Sequence, residues 1–117
     1  MRERVLIVDD HEPFRVVARR VLEAAGYVVT AEAADAAEAY AAVAAEAPDA
    51  VLLDVQLPDE DGFAIARELA AADGPAVVLI SSRDADEYGT RVEACGARGF
   101  IPKSKLSAAA FAALLSG

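Results

Sequence analysis

Tryptophan is absent, aromatic residues make up only 6% of the chain, and there is a single cysteine, Cys95. One thiol excludes an internal disulfide and fits a reducing compartment, so a cytoplasmic location is expected. Positive charge is scarce too. Eleven Lys and Arg stand against twenty Asp and Glu, for a formal net charge of −9. Nucleic-acid backbones and anionic membrane surfaces are bound by clustered cations, so no direct nucleic-acid or membrane partner is expected. No apolar run approaches transmembrane length, and the Val5–Val8 run is too short for a signal-peptide core. What remains to hold a fold is the 56% hydrophobic content, much of it alanine, which favours helices but buries little area per residue. A chain of 117 residues suits one domain, 1–117, burying roughly two-thirds of its unfolded surface.

The most informative stretch is Ala50-Val51-Leu52-Leu53-Asp54. An apolar run without alternation reads as a strand buried on both faces, as in a parallel sheet covered by helices. Pro58 cannot donate to a ladder and helps end it. Val5-Leu6-Ile7-Val8 runs into Asp9-Asp10 in the same way, and Ala76 to Ile80 delivers Ser81. Gly99-Phe100-Ile101 is a short last strand that leaves through Pro102-Lys103, and Tyr27 to Thr30 reads as the second strand.

Helical patterns alternate with these strands. Glu12-Pro13 opens a first helix whose apolar stripe is Phe14, Val17, Val21 and Leu22, expected to be core, with Gly26 as its left-handed cap. Asp35 and Glu38 form a capping-box pattern before an alanine-rich helix to about Glu46. Phe63, Ile65, Ala66 and Leu69 mark a third helix, and Asp86 to Cys95 a fourth that contains Gly89. Ser107 caps the last, with Leu106 and Phe111 spaced as a hydrophobic staple. Five strands alternating with five helices, joined by right-handed crossovers, predict a doubly wound α/β fold. Its ligands belong beyond the carboxyl ends of the strands.

There the fold gathers Asp9, Asp10, Asp54, Ser81 and Lys103. Two carboxylates about 5 Å apart repel by roughly 3 kcal/mol at an effective dielectric of ~20, so three of them want a cation. Oxygen ligands with water favour Mg²⁺ over a softer metal. Lys103 adds a fixed positive charge and Ser81 a hydroxyl. The set is a cradle for a phosphoryl group. Ser82 competes with Ser81 for that role, and the interval to Lys103 selects Ser81.

These residues, in this order and with intervals of 44 from Asp10 to Asp54 and 22 from Ser81 to Lys103, resemble the receiver domains of two-component response regulators. Pro58 and Asp61-Gly62 also fit, and the likeness covers essentially the whole chain. The resemblance implies a flavodoxin-like (βα)5 fold with sheet order 2-1-3-4-5. It implies Asp54 as the nucleophile that accepts a phosphoryl group from a sensor histidine kinase or phosphotransfer protein. Asp10 binds Mg²⁺ directly, Asp9 largely through water, and the Gln56 backbone carbonyl is a further ligand. Ser81 and Lys103 contact the phosphoryl oxygens, and Phe100 takes the position of the aromatic switch. Gln56 and Arg83 match positions that tune dephosphorylation. No external substrate is turned over beyond self-catalysed phosphotransfer and slow autodephosphorylation. The expected readout is the surface of helix four, strand five and helix five, meeting an unnamed protein target or, on phosphorylation, a second copy.

Asp9-Asp10-His11 and Gly99 to Ser104 look most like receivers that often precede a helix-turn-helix output domain, so the chain is expected to stand alone or to be a piece of something longer. Family members usually have proline after the lysine; Ser104 stands there, and a trans bond and a differently placed loop are expected. A haloacid-dehalogenase-type phosphatase needs a second Asp where Gln56 sits, and a flavodoxin needs a phosphate loop that Asp9-Asp10-His11-Glu12 would repel. The remaining alternative is a phosphorylation-independent interaction module on the same fold.

Overall fold

The structure, a computed structural model, describes residues 3–71, 73–83 and 85–116. Five parallel strands form one sheet in the order β2-β1-β3-β4-β5: β1 Arg4–Val8, β2 Val28–Ala33, β3 Ala50–Asp54, β4 Ala76–Ser81 and β5 Gly99–Pro102. Each is followed by a helix: α1 Glu12–Ala24, α2 Ala36–Glu46, α3 Gly62–Ala70, α4 Arg91–Ala94 and α5 Ala108–Ser116. The expected fold class and strand order are what is found.

Alternation along each strand splits the core into two layers. Leu6, Val8, Val51, Leu53, Val77 and Leu79 face α2 and α3, meeting Ala36, Ala39, Phe63, Ile65, Ala66 and Leu69. Val5, Ile7, Leu52, Val78 and Ile80 face the other way, onto Ala18 and Leu22 of α1 and Phe111 of α5. Both faces of β3 are therefore covered, which is why Ala50–Asp54 carries no polar alternation.

Register sets the site. Val8 pairs with Leu53, Asp54 with Ile80 and Ser81 with Pro102, so Asp9, Asp54, Ser81 and Lys103 emerge within two residues of one another at the carboxyl edge. Gly62 locks the exit from β3. Its N–H donates to the Val55 carbonyl at 2.9 Å, and a Cβ on it would lie 2.6 Å from Val55 Cα and 2.7 Å from the Asp54 carbonyl oxygen. Only glycine fits there.

The caps behave largely as expected. Gly26 takes φ +96° after α1, and Ser107 Oγ accepts from Ala110 N at 3.0 Å. Asp35 Oδ1 accepts from Glu38 N at 2.8 Å, while Glu38 reaches back one residue further than expected, to Ala34 N. A carboxylate from elsewhere completes this helix start: Asp59, on the loop after β3, accepts from Ala36 N and Ala37 N at 2.9 and 3.3 Å. The loop beside Asp54 is thus tied to α2.

Three expectations need correction. Val17 is not core; it is 52% exposed, and the buried face of α1 is centred on Ala18. At about 100° per residue Phe14 and Leu22 flank Ala18 closely, whereas Val17 lies a quarter-turn round. Strand β2 runs to Ala33 and not Thr30, because pairing of Ala31, Glu32 and Ala33 with β1 overrides the weak strand preference of alanine. The fourth helix is far shorter than Asp86 to Cys95. A 3₁₀ turn at Ala85–Glu87 gives way at Gly89, whose φ of +58° breaks the helix, and α4 is a single turn.

Candidate functional site

Four strand ends, those of β1, β3, β4 and β5, build the site. Asp9 is fully buried, Asp54 is 4% exposed, and Asp10, the next residue after Asp9, is exposed. The turn after β1 accounts for the difference: Asp9 Oδ1 accepts from His11 N at 2.8 Å, which folds the carboxylate inward. Arg15 Nη1 donates to the Asp9 carbonyl at 2.6 Å and is itself held by Glu32 at 3.0 Å. Lys103, the first residue after β5, places its Nζ 2.7 Å from Asp9 Oδ2 and 3.3 Å from Asp54 Oδ2, above the Phe14 ring at 4.7 Å. Asp54 Oδ1 accepts from Gln56 N at 3.0 Å. No peptide bond among the described residues is cis, and Lys103–Lys105 forms a 3₁₀ turn, so Lys103 reaches the carboxylates without the usual following proline.

The electrostatics follow from burial. Loss of hydration pushes the Asp54 carboxyl up to about 6; the Gln56 N–H and the Lys103 ammonium pull it down, and the Asp9 charge adds to the rise. Burial alone would lower the Lys103 ammonium, but contact with Asp9 and the charges of Asp54 and Asp9 outweigh it and raise its pKa. One ammonium thus serves two buried carboxylates, with Asp10 close by.

That imbalance matches a cation. Oxygen atoms of Asp9, Asp10 and Asp54 all lie within 4.8 Å of one another. Asp9 Oδ2, wholly buried, has the Lys103 charge beside it but no properly directed hydrogen bond. A hard divalent ion with oxygen ligands suits such a donor set.

The acids open onto a cleft of about 740 Å³ lined by Asp10, Asp54, Gln56 and Lys103 on the polar side and by Pro13, Phe14 and Val17 on the other. Ser82 lines it as well. Ser81 is fully buried, and its hydroxyl is turned elsewhere: Oγ is 2.8 Å from Tyr88 OH and accepts from Arg83 N at 3.1 Å. Phe100 is half-buried, its ring centroid 5.8 Å from that of Tyr88. The structure therefore gathers Asp9, Asp10, Asp54, Gln56 and Lys103 tightly and places Ser81 and Phe100 together through a third residue. Tyr88 is what reading the sequence missed; an aromatic seven residues after Ser81, in a segment weakened by Gly89, was its only signal.

A five-stranded parallel sheet in this order, with carboxylates and one ammonium at its carboxyl edge, defines a flavodoxin-like domain with an acidic site. Residues 5–114 match the family model described as the response regulator receiver domain, and the chain belongs to that family: it is a receiver domain of two-component signalling. The response regulator MprA of Mycobacterium ulcerans (strain Agy99) is 35% identical over 104 residues, covering 88% of this chain and 44% of that protein. A two-component response regulator of the LuxR family from Aurantimonas sp. SI85-9A1 superposes with a TM-score of 0.88 at 34% identity, covering 100% of this chain and 87% of the other. The chemotaxis response regulator CheY4 of Vibrio cholerae does so with a TM-score of 0.83 at 25% identity, covering 99% and 98%. The LuxR-family neighbour accords with the subfamily expected from the sequence. The chain spans about half the length of the curated relatives it matches.

Proposed function

We propose that this chain, as one domain over residues 1–117, is the phosphoryl-accepting switch of a two-component relay in the cytoplasm. Asp54 is the nucleophile. A carboxylate oxygen of Asp54 attacks phosphorus in line, forming an O–P bond as the P–N bond of a donor phosphohistidine breaks; the electron pair leaves on the imidazole nitrogen, which then takes a proton. Lys103 holds its ammonium against Asp54 and Asp9 throughout, offsetting charge on the phosphoryl oxygens. Asp9, Asp10, Asp54 and the Gln56 carbonyl would hold Mg²⁺, which when bound supplies further neutralisation of phosphoryl charge. Ser81 supplies a hydroxyl donor to the phosphorylated state, and Phe100 moves with it as the aromatic switch.

The donor is a sensor histidine kinase or phosphotransfer protein, and the readout is the surface of α4, β5 and α5, offered to a protein target or to a second copy after phosphorylation. No external substrate is turned over, and the acyl phosphate is lost slowly by the domain's own hydrolysis.

One observation carries this reading: Asp54 is nearly inaccessible yet lines an open cleft, with Lys103 Nζ at 3.3 Å. The test is intact mass after incubation with acetyl phosphate, with and without Mg²⁺. The expected result is a Mg²⁺-dependent gain of one phosphoryl group that Asp54→Asn abolishes. Persistence of the acid-labile phosphate in Asp54→Asn would overturn the assignment.

A further inference from the structure

The Ser81 hydroxyl, the group expected to meet the phosphorylated aspartate, is already engaged in the resting domain. Its oxygen accepts from Arg83 N at 3.1 Å, and it is hydrogen-bonded to Tyr88 OH at 2.8 Å. Phe100 carries no hydroxyl and cannot make this bond. The Tyr88 ring stands between the two residues of the expected switch, tilted against Phe100 at 5.8 Å and edge-on to the fully buried Phe63 at 5.3 Å.

The geometry points to Tyr88 as a positioning residue: it holds the Ser81 hydroxyl away from Asp54 before phosphorylation, and its release links the acyl phosphate to α4. This rests on Asp54 being the phosphoryl acceptor. Ser81 is fully buried, and a buried hydroxyl does not give up a partner without another to replace it. A phosphoryl oxygen on Asp54 is that replacement. Once Ser81 turns to it, the Tyr88 phenol loses its partner and has to find another toward the adjacent cleft of about 300 Å³, which Leu57, Glu60, Asp61 and Arg91 line with it. Phe100 cannot turn inward until the Tyr88 ring makes room.

The consequence reaches α4 directly. The Tyr88 carbonyl accepts from Arg91 N at 3.2 Å, at the first residue of that helix. Arg91 is ion-paired to Asp61, the N-cap of α3, and its guanidinium lies over the Phe63 ring at 4.3 Å. A one-turn helix has few contacts to resist movement of the residue that anchors its start.

The test compares the wild-type chain, Tyr88→Phe, Ser81→Ala and the double variant in rate of phosphorylation by acetyl phosphate with Mg²⁺, followed by intact mass. Tyr88→Phe keeps the ring and removes the latch, so its rate rises about threefold to tenfold, the equivalent of one neutral hydrogen bond. In the Ser81→Ala background the same substitution changes nothing. A second readout uses the small number of tyrosines: with Tyr27 and Tyr40 replaced by Phe, Tyr88 emission becomes more accessible to acrylamide on phosphorylation. If the wild-type chain phosphorylates at Asp54 but Tyr88→Phe keeps its rate, or keeps its gain without Ser81, the latch is wrong and the acceptor assignment stands. If no chain gains phosphate on Asp54 from acetyl phosphate or from a cognate kinase, both fall together.

Discussion

Asp54 is a carboxylate held where its charge is costly, and that cost has a pH signature. Its carboxyl sits at about 6 in the fold against an ordinary 3.8, chiefly because burial strips its hydration. The folded state therefore binds the proton more tightly than the unfolded chain. This contribution is fully present below about pH 4 and is lost as the pH rises through about 6. Asp54→Asn escapes the loss. In metal-free buffer at pH 7.5 the variant is expected to be more stable than wild type by about 1–3 kcal/mol, the lower end applying where water in the cleft screens the charge. Below pH 4 the advantage vanishes. Urea unfolding at the two pH values measures it, and a pH-independent difference would show that desolvation is not the dominant cause. Asp9 and Asp10 make the companion point: neighbours in sequence, one is wholly buried and the other exposed, because the His11 N–H draws only the first inward.

At the scale of the element, the exit from β3 matters most. The Gly62 Cα packs against the backbone of Asp54 and Val55, and a methyl group there would have to displace main chain. Gly62→Ala is expected to cost about 1–3 kcal/mol, as overpacking does, and to slow phosphorylation because the backbone that moves carries the nucleophile. Thermal unfolding read beside the phosphorylation rate checks both; a variant with unchanged melting and rate would contradict the packing. The helices show which local signals were legible and which were not. α3 reads correctly from Phe63, Ile65, Ala66 and Leu69, all buried. α1 misleads at Val17 because a valine at the stripe's edge resembles one inside it, and Ala18, small and central, gives no signal. α4 shrinks to a turn because Gly89 takes a left-handed conformation that pattern-reading counts only as a weak position.

The sheet is covered on both faces and open at its carboxyl end, so the buried carboxylates lie where a cation and a phosphoryl group can reach them. A bound cation is then a stabilising ligand. Mg²⁺ at ten times its dissociation constant is expected to add about 1.4 kcal/mol to the stability of the wild-type chain. That gain should be lost in Asp10→Asn and reversed by chelation. Calorimetry with and without Mg²⁺ reads it, and an equal gain in Asp10→Asn would place the ion elsewhere. Among the described residues no helix is long and apolar enough to cross a membrane.

What the sequence determined by itself was the order of elements and the acids that end them. Buried parallel strands are written as unbroken apolar runs, and the intervals between Asp10, Asp54, Ser81 and Lys103 are linear quantities. Tertiary structure alone decided which of two adjacent acids is buried, that Asp59 caps a helix from another loop, and that Ser81 is engaged by Tyr88 and not by Asp54. Each of these depends on where a side chain points across a gap between elements. That direction is set by sheet register, strand twist and packing of the whole core, which no local pattern of residues encodes.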